Sequence, residues 1–242
     1  MISLDFSGQA VLVTGGSNGI GHGIASAFAG AGADVTITGT RAAASDYETD
    51  LSAFTYRQLQ VEDAAAVDAF IADTGAVDVL VNNAGNAVRA PEGHTPWGFE
   101  RNIDINLNSV FRLSQGLQNR LAKRPGSIVN IASMTSYIAS PRVPGYGASK
   151  AAILQMTKSL AELYAPEGIR VNAIAPGWIE TNLTNPLSTI DEFKARIIDR
   201  TPMRRWGTPQ DLAGTALYLA SPALAGFVTG VTIPVDGGYI AC

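Results

Sequence analysis

Tyr146 and Lys150 stand four residues apart in Tyr146-Gly147-Ala148-Ser149-Lys150, at the head of a stretch that patterns as a helix. On a helix that spacing projects the phenol and the ammonium from one face. A phenol ordinarily keeps its proton until pH ~10, too high for acid–base work near neutrality. A positive charge one turn away favours the phenolate and lowers that value, which yields a group able to give and take a proton. Ser133 leaves the apolar run Gly126-Ser127-Ile128-Val129-Asn130-Ile131-Ala132 and adds a hydroxyl that could donate to a substrate oxygen. The three together describe proton transfer at a carbonyl or alcohol oxygen. Alone, the pair has a plainer reading, because Tyr and Lys one turn apart are common on solvated helix faces.

The elements that would carry these groups separate the two readings. Ala10-Val11-Leu12-Val13-Thr14 is a short continuous apolar run, the pattern of a strand buried on both faces of a parallel sheet. It runs into Gly15-Gly16-Ser17-Asn18-Gly19-Ile20-Gly21, and a helical pattern follows through Ile24 and Phe28. In this order the glycines let backbone approach a phosphate, and the helix N-terminus offers free N–H groups and a positive dipole end. The segment is therefore read as a nucleotide pyrophosphate site. A second strand, Asp34 to Thr38, ends in Gly39, Thr40 and Arg41. A carboxylate there would accept from a ribose 2′-OH and repel a 2′-phosphate. With a hydroxyl and a guanidinium instead, NADP(H) is favoured over NAD(H).

The region from Arg41 to Ala53 is short and polar and predicts a reduced second helix; Phe54 to Val61 predicts a third strand. Ala64, Val67, Phe70 and Ile71 mark a short amphipathic helix. Val77 to Val81 is a fourth strand that ends in Asn82-Asn83-Ala84-Gly85, where open parallel sheets bind ligands. Trp97 to Leu121 reads as one long helix whose apolar stripe is interrupted by Asn106, a mediocre helix former. After the Ser133 strand come the Tyr146–Tyr164 helix, the strand Arg170 to Ile174, and a helix from Pro209 to Ala220 with Thr208 as N-cap. A seventh strand lies between Val228 and Val235. Alternation of this kind predicts an α/β fold, a doubly wound seven-stranded parallel sheet with helices on both faces. Residues 1–242 read as one domain, and 182–207, with an amphipathic piece from Ile190 to Ile198, as a substrate lid. Arg204 and Arg205, the one tight basic cluster, could make that lid attractive to an acidic carrier protein.

Thr14-Gly15-x-x-x-Gly19-x-Gly21, Asn82-Asn83-Ala84-Gly85 and Tyr146-x-x-x-Lys150 resemble the motifs of the short-chain dehydrogenase/reductase family, and the likeness spans essentially the whole chain. The resemblance implies a Rossmann fold and hydride transfer between a nicotinamide and a secondary alcohol or ketone. Sugar or polyol dehydrogenases and 3-oxoacyl-carrier-protein reductases are the candidate types. It implies that Tyr146 is the general acid/base, with Ser133, 13 residues earlier, as donor to the substrate oxygen. Lys150 then tunes Tyr146 and binds the nicotinamide ribose, and Asn106 opens a kink and holds a water that links Lys150 to solvent. For the cofactor it implies Gly15, Ser17, Asn18, Gly19, Ile20 and Gly21 at the phosphates and Thr40 and Arg41 at the ribose. Gln60 and Val61 stand where relatives carry Asp-Val beside the adenine, and Asn83, Ala84 and Gly85 brace sheet and ribose. Pro176, Gly177, Ile179 and Thr181 clasp the carboxamide. Many NADP(H)-using relatives have Arg where this chain has Asn18. A homotetramer built on the helices around Asn106 and Tyr146 is also implied. The same fold can serve a catalytically silent NAD(P)-binding sensor, which loss of Tyr or Lys would mark, and both are present here. Sugar-nucleotide epimerases share the pair but have a different glycine spacing and a larger C-terminal region.

A formal net charge of −4 with dispersed Lys and Arg argues against nucleic acid or an anionic membrane as main partner. The single cysteine, Cys242, permits no intrachain disulfide, which fits a reducing compartment. The opening Met1-Ile2-Ser3-Leu4-Asp5-Phe6 has no signal-peptide pattern, and no long uncharged apolar window spans a membrane, so a cytoplasmic protein is expected. Neither His22 nor His94 has a partner at ligand spacing, so no metal is expected.

Overall fold

The computed structural model describes residues 4–185 and 189–241; Cys242 lies outside them. The apolar runs form strands β1 (Ala10–Val13), β2 (Asp34–Gly39), β3 (Thr55–Gln58), β4 (Val79–Asn82), β5 (Ser127–Ile131), β6 (Arg170–Pro176) and β7 (Thr232–Val235). They pair in parallel, in the order β3-β2-β1-β4-β5-β6-β7. Every residue of β4, β5 and β6 is buried, as strands covered on both faces must be.

The covering helices are α1 (Gly19–Gly30), α2 (Ala64–Ala72), α3 (Pro96–Ile103), α4 (Ser109–Gly116), α5 (Gln118–Leu121), α6 (Pro144–Tyr164), α7 (Asp191–Arg200), α8 (Pro209–Ala220) and α9 (Pro222–Ala225). Ile24 and Phe28 of α1 and Leu212 and Leu219 of α8 pack with Val11 and Val13 on one face of the sheet. Leu113 of α4, Leu160 of α6 and Val67 of α2 pack with Leu12 and Leu80 on the other. The alternation of β1 side chains between these two cores is the doubly wound arrangement. In register, Val13 pairs with Val81 and Asn82 with Asn130, so the chain leaves β1, β4 and β5 at one carboxyl edge. A buried chain of hydrogen bonds, Asn82 to Asn130 (2.9 Å) and Asn130 to Thr157 (3.0 Å), ties β4, β5 and α6 behind that edge.

The single 3₁₀ turn Ala44–Asp46 is the reduced second helix that the short polar stretch predicts. The third strand is shorter than expected, only Thr55–Gln58, a polar edge strand. The long helix is not continuous. Its turn at Asp104–Asn108 is π-helical, because Asn102 and Asn106 send their amides to the carbonyls four residues back, Gly98 and Asn102, at 2.9 Å each. Helix α8 begins at Pro209 with Thr208 at its N-cap, as expected, and the Asp211 carboxylate accepts from the Thr208 N–H at 2.7 Å and from its hydroxyl at 3.1 Å.

Candidate active site

A cleft of about 820 Å³ opens along the carboxyl edge, from Gly15 at one end to Phe193 and Tyr239 at the other. At the glycine end, Gly15 and Gly19 adopt φ of 64° and 54°, a left-handed backbone that side-chain residues avoid. The Thr14 hydroxyl accepts from the N–H groups of Asn83 and Ala84, both at 3.0 Å, and the Asn83 amide donates back to Thr14 and Gly15 carbonyls at 3.0 Å. A Cβ on Gly21 would stand 2.4 Å from both the Asn83 amide nitrogen and the Gly15 carbonyl oxygen. Asn18 precedes α1 with no side-chain cap, and no acidic residue occupies its first turn. The first N–H groups of α1 thus face the cleft without a protein acceptor, a fit for a pyrophosphate.

Ser133, Tyr146 and Lys150 all line the middle of the cleft. Ser133 caps a short turn, accepting from the Thr135 N–H at 3.1 Å, so its oxygen is fixed. Burial raises the Tyr146 pKa, and the Ser133 hydroxyl opposes that rise. This corrects the expected direction. Lys150 Nζ is 5.7 Å from the centre of the Tyr146 ring and donates to the Ile131 carbonyl at 2.7 Å, so its charge is directed at β5. Lys150 is 4% exposed, and burial pulls its own pKa down to about 8.

Of the residues expected to act together, Asn106, Gly21 and Arg41 do not line the cleft. Asn106 is wholly buried, and its amide clamps Asn86 at N–H and carbonyl (3.0 and 2.8 Å). It thereby holds the chain after Gly85 against α3. Gly21 is the close contact just described. Arg41 stacks on Tyr47, its guanidinium 4.9 Å from the ring centre. Ser17, Asn18, Gly19, Ile20, Thr40, Gln60 and Val61 line the adenosine half, as do Asn83, Ala84, Gly85, Pro176, Gly177, Ile179 and Thr181 the remainder. The Gln60 amide donates to the Thr40 carbonyl at 3.1 Å, which leaves its oxygen free to accept from an adenine amino group. Met134, Thr135 and Ile138 also line the cleft, whereas Tyr137 faces solvent. Arg204 and Arg205 are absent from it, being paired with Asp199 and Asp211. His94 lies off the cleft, bonded to the Pro141 carbonyl at 2.7 Å. Among the described residues no three His, Cys, Asp or Glu side chains group as metal ligands, and no helix is long and apolar enough to cross a membrane.

Sequence reasoning passed over Tyr47 and the arginines Arg89, Arg142, Arg196 and Arg200, all of which line the cleft. Arg196 and Arg200, four apart on α7, were legible as a pair sharing one helix face. Nothing in the sequence joined that face to the cleft. Their guanidiniums lie over the rings of Phe193 (5.1 Å) and Tyr239 (4.4 Å). Glu62 is the one acidic residue of the lining among the described residues, and it is paired with Arg101 at 2.9 Å.

A parallel sheet with an uncapped glycine-loop helix and a Ser–Tyr–Lys group on one edge defines a nicotinamide-dependent oxidoreductase. Residues 15–240 match the family model described as enoyl-(acyl carrier protein) reductase. The 2-dehydro-3-deoxy-D-gluconate 5-dehydrogenase of Pseudoalteromonas atlantica is 42% identical over 96% of both chains. That of Bacillus subtilis is 39% identical over 99% of this chain and 97% of its own. A gluconate 5-dehydrogenase from Burkholderia cenocepacia, solved in complex with NADP and tartrate, superposes with a TM-score of 0.89 at 34% identity, over 99% of this chain and 98% of that one. The chain belongs to the short-chain dehydrogenase/reductase family. It is an NAD(P)(H)-dependent oxidoreductase that transfers hydride between nicotinamide and a secondary alcohol or ketone. The NADP in the Burkholderia structure agrees with the cofactor expected from Gly39, Thr40 and Arg41.

Proposed function

We propose that this enzyme uses NADP(H) to interconvert a secondary alcohol and its ketone in a polyhydroxy carboxylic acid of the sugar-acid class. The observation that carries the substrate class is charge. In a chain of net charge −4, the cleft presents Arg142, Arg196 and Arg200 without an acidic partner among the described residues. Low-dielectric walls focus such charge on an anionic ligand. The buried Thr135 hydroxyl and Trp178 indole nitrogen, both in lining residues, lack hydrogen-bond partners and suit a substrate rich in hydroxyls. The names of the two dehydrogenase relatives, and the hydroxy-acid tartrate in the Burkholderia structure, point the same way.

Bound NADP(H) supplies the hydride chemistry itself. The N–H groups of Gly19 to Gly21 and the loop before them would hold its pyrophosphate, and Ile179 and Thr181 would orient its carboxamide. Ser133 donates to the substrate oxygen and fixes it beside Tyr146. Tyr146 gives that oxygen its proton in reduction and removes it in oxidation. Lys150 would hold the nicotinamide ribose, and Asn106 keeps the loop behind Lys150 in place. The expected lid over 182–207, of which 186–188 lie outside the described residues, belongs to this single domain and carries Arg196 and Arg200. A cytoplasmic location fits this reading.

A panel of sugar acids and matching neutral polyols with both cofactors, followed by reduced-nicotinamide absorbance, tests it. NADP⁺ and a sugar acid should give turnover, and the neutral analogue a KM at least ~10-fold higher, the scale of a lost charged hydrogen bond. Equal KM for the neutral polyol would remove the carboxylate from the reading.

Assembly as a homotetramer is supported by Phe111 on α4 and Leu163 on α6, which are 50% and 62% exposed on outer helix faces. Light scattering should return a mass of four chains; a monomer would overturn this assembly.

A further inference from the structure

Gly39 ends β2 where a carboxylate would read a ribose 2′-OH. Its φ is not in the left-handed region, so its backbone does not demand glycine. What stands in a side chain's way is the Tyr47 phenol, with the Tyr56 ring 3.0 Å off beside it. A Cβ on Gly39 would stand 2.4 Å from the Tyr47 hydroxyl oxygen and 3.0 Å from Cζ, far inside contact distance. The phenol has taken the place of the β2-terminal side chain.

That phenol lines the cleft with Ser17 and Thr40, and both hydroxyls lie close enough to act on its acidity. Its oxygen accepts from the Arg41 N–H at 3.0 Å. Tyr56, 3.5 Å away, commits its own proton to the Arg41 carbonyl at 2.5 Å. Tyr47 therefore accepts one good bond, and its own proton has only the Tyr56 oxygen, at 3.5 Å, a long bond that a phosphate oxygen could displace. The Arg41 guanidinium covers the ring, and Asp46, the nearest carboxylate in sequence, is turned onto the Ala43 N–H at 2.9 Å. The result is a group of hydroxyls on the cleft wall, with the Arg41 guanidinium behind them on the Tyr47 ring and donating to the Asp46 carbonyl, a setting for a phosphate dianion.

We propose that Tyr47 is a specificity-determining residue. In the notch left by Gly39, its phenol donates to the adenosine ribose 2′-phosphate and bars the carboxylate that would select NAD(H). This deepens the NADP(H) reading above and rests on it. It makes Gly39 and Tyr47 a coupled pair: an acid at position 39 cannot reach the ribose while the phenol stands there.

Equilibrium titration of NADPH and NADH by reduced-nicotinamide fluorescence decides the matter with five proteins: wild type, Tyr47→Phe, Tyr47→Ala, Gly39→Asp and the Gly39→Asp/Tyr47→Ala double variant. Tyr47→Phe should weaken NADPH about tenfold, as for one lost hydrogen bond to a charged group, and NADH less than twofold. Gly39→Asp should shift the NADH:NADPH affinity ratio at least ~10-fold more in the Tyr47→Ala background than in wild type. Equal weakening of both cofactors in Tyr47→Phe, or a full inversion of preference by Gly39→Asp alone, overturns the proposal. Should Gly39→Asp fail to fold, the Tyr47→Phe comparison decides alone. Wild type that binds neither cofactor, or prefers NADH, sinks the NADP(H) reading as well. Tight NADPH binding that Tyr47→Phe leaves unchanged sinks only this inference.

Discussion

Tyr146→Phe is expected to lower turnover at least ~10²-fold, the usual scale of a lost acid–base group, with NADPH affinity nearly unchanged. The substitution removes one oxygen and leaves the ring that packs beneath Lys150, 5.7 Å from Nζ. Ser133 keeps its own anchor through the Thr135 N–H, so the oxygen-binding position survives. What disappears is the hydroxyl proposed above to carry a proton to and from the substrate oxygen. Because burial raises the Tyr146 pKa, wild-type alcohol oxidation should fall as pH drops, the phenol then holding its proton. Carbonyl reduction, which needs the protonated phenol, should persist there. Steady-state kinetics and a cofactor titration of the same preparation check both points. Turnover within a few-fold of wild type would move the proton transfer to another group.

Much of the site's backbone was legible because each motif sits on one element whose geometry a short pattern determines. Tyr146 and Lys150 share the face of α6, and the glycine turn between β1 and α1 has few conformations open to it. Strand ends converge by topology alone, which is why Asn83, Ser133 and Gly177 could be assigned to one edge before any contact was known. Side-chain direction was not legible. Lys150 was expected to act on Tyr146, yet Nζ is held by the Ile131 carbonyl, a partner 19 residues away that no local pattern reveals. The π-helical turn depended on where the Asn102 and Asn106 amides point, a choice between solvent, neighbour and backbone that apolar periodicity does not encode. Arg204 and Arg205 read as a free basic cluster because Asp199 and Asp211, their partners, lie five and six residues distant on helices whose orientation was unknown. Tyr47 was invisible for a related reason: its value lies in the missing side chain of Gly39, eight residues earlier on another element.

Lys150 links the chemistry to the stability of the fold, and Lys150→Met should move the two in opposite directions. Burial sets the folded pKa at about 8 against an ordinary value of 10.5. Below pH 8 both folded and unfolded chains carry the ammonium, so the full cost of burying that charge weighs on the folded state. Between pH 8 and 10.5 the unfolded chain still holds the proton that the folded chain has lost, and wild-type stability gains with rising pH. Methionine fills similar space with no charge to desolvate. It also leaves the Ile131 carbonyl without its donor, which takes back part of the benefit. The net gain at pH 7 is on the order of 1–2 kcal/mol, a Tm higher by roughly 2–8 °C for a chain of this size. It should shrink steadily from pH 8, reach zero roughly one to one and a half pH units higher, and reverse beyond that, where the neutral wild-type amine still serves the Ile131 carbonyl. Turnover should meanwhile fall at least ~10²-fold, because the variant keeps Tyr146 but loses the amine beside it in the cleft that would hold the nicotinamide ribose in place. Thermal denaturation at several pH values, beside kinetics at pH 7, reads both effects. A methionine variant less stable than wild type at pH 7, or a difference that does not change between pH 7 and 10, would mean that the buried ammonium is not held against its solvation. A cost in stability at a buried amine beside the proton donor is what a site selected for chemistry should carry.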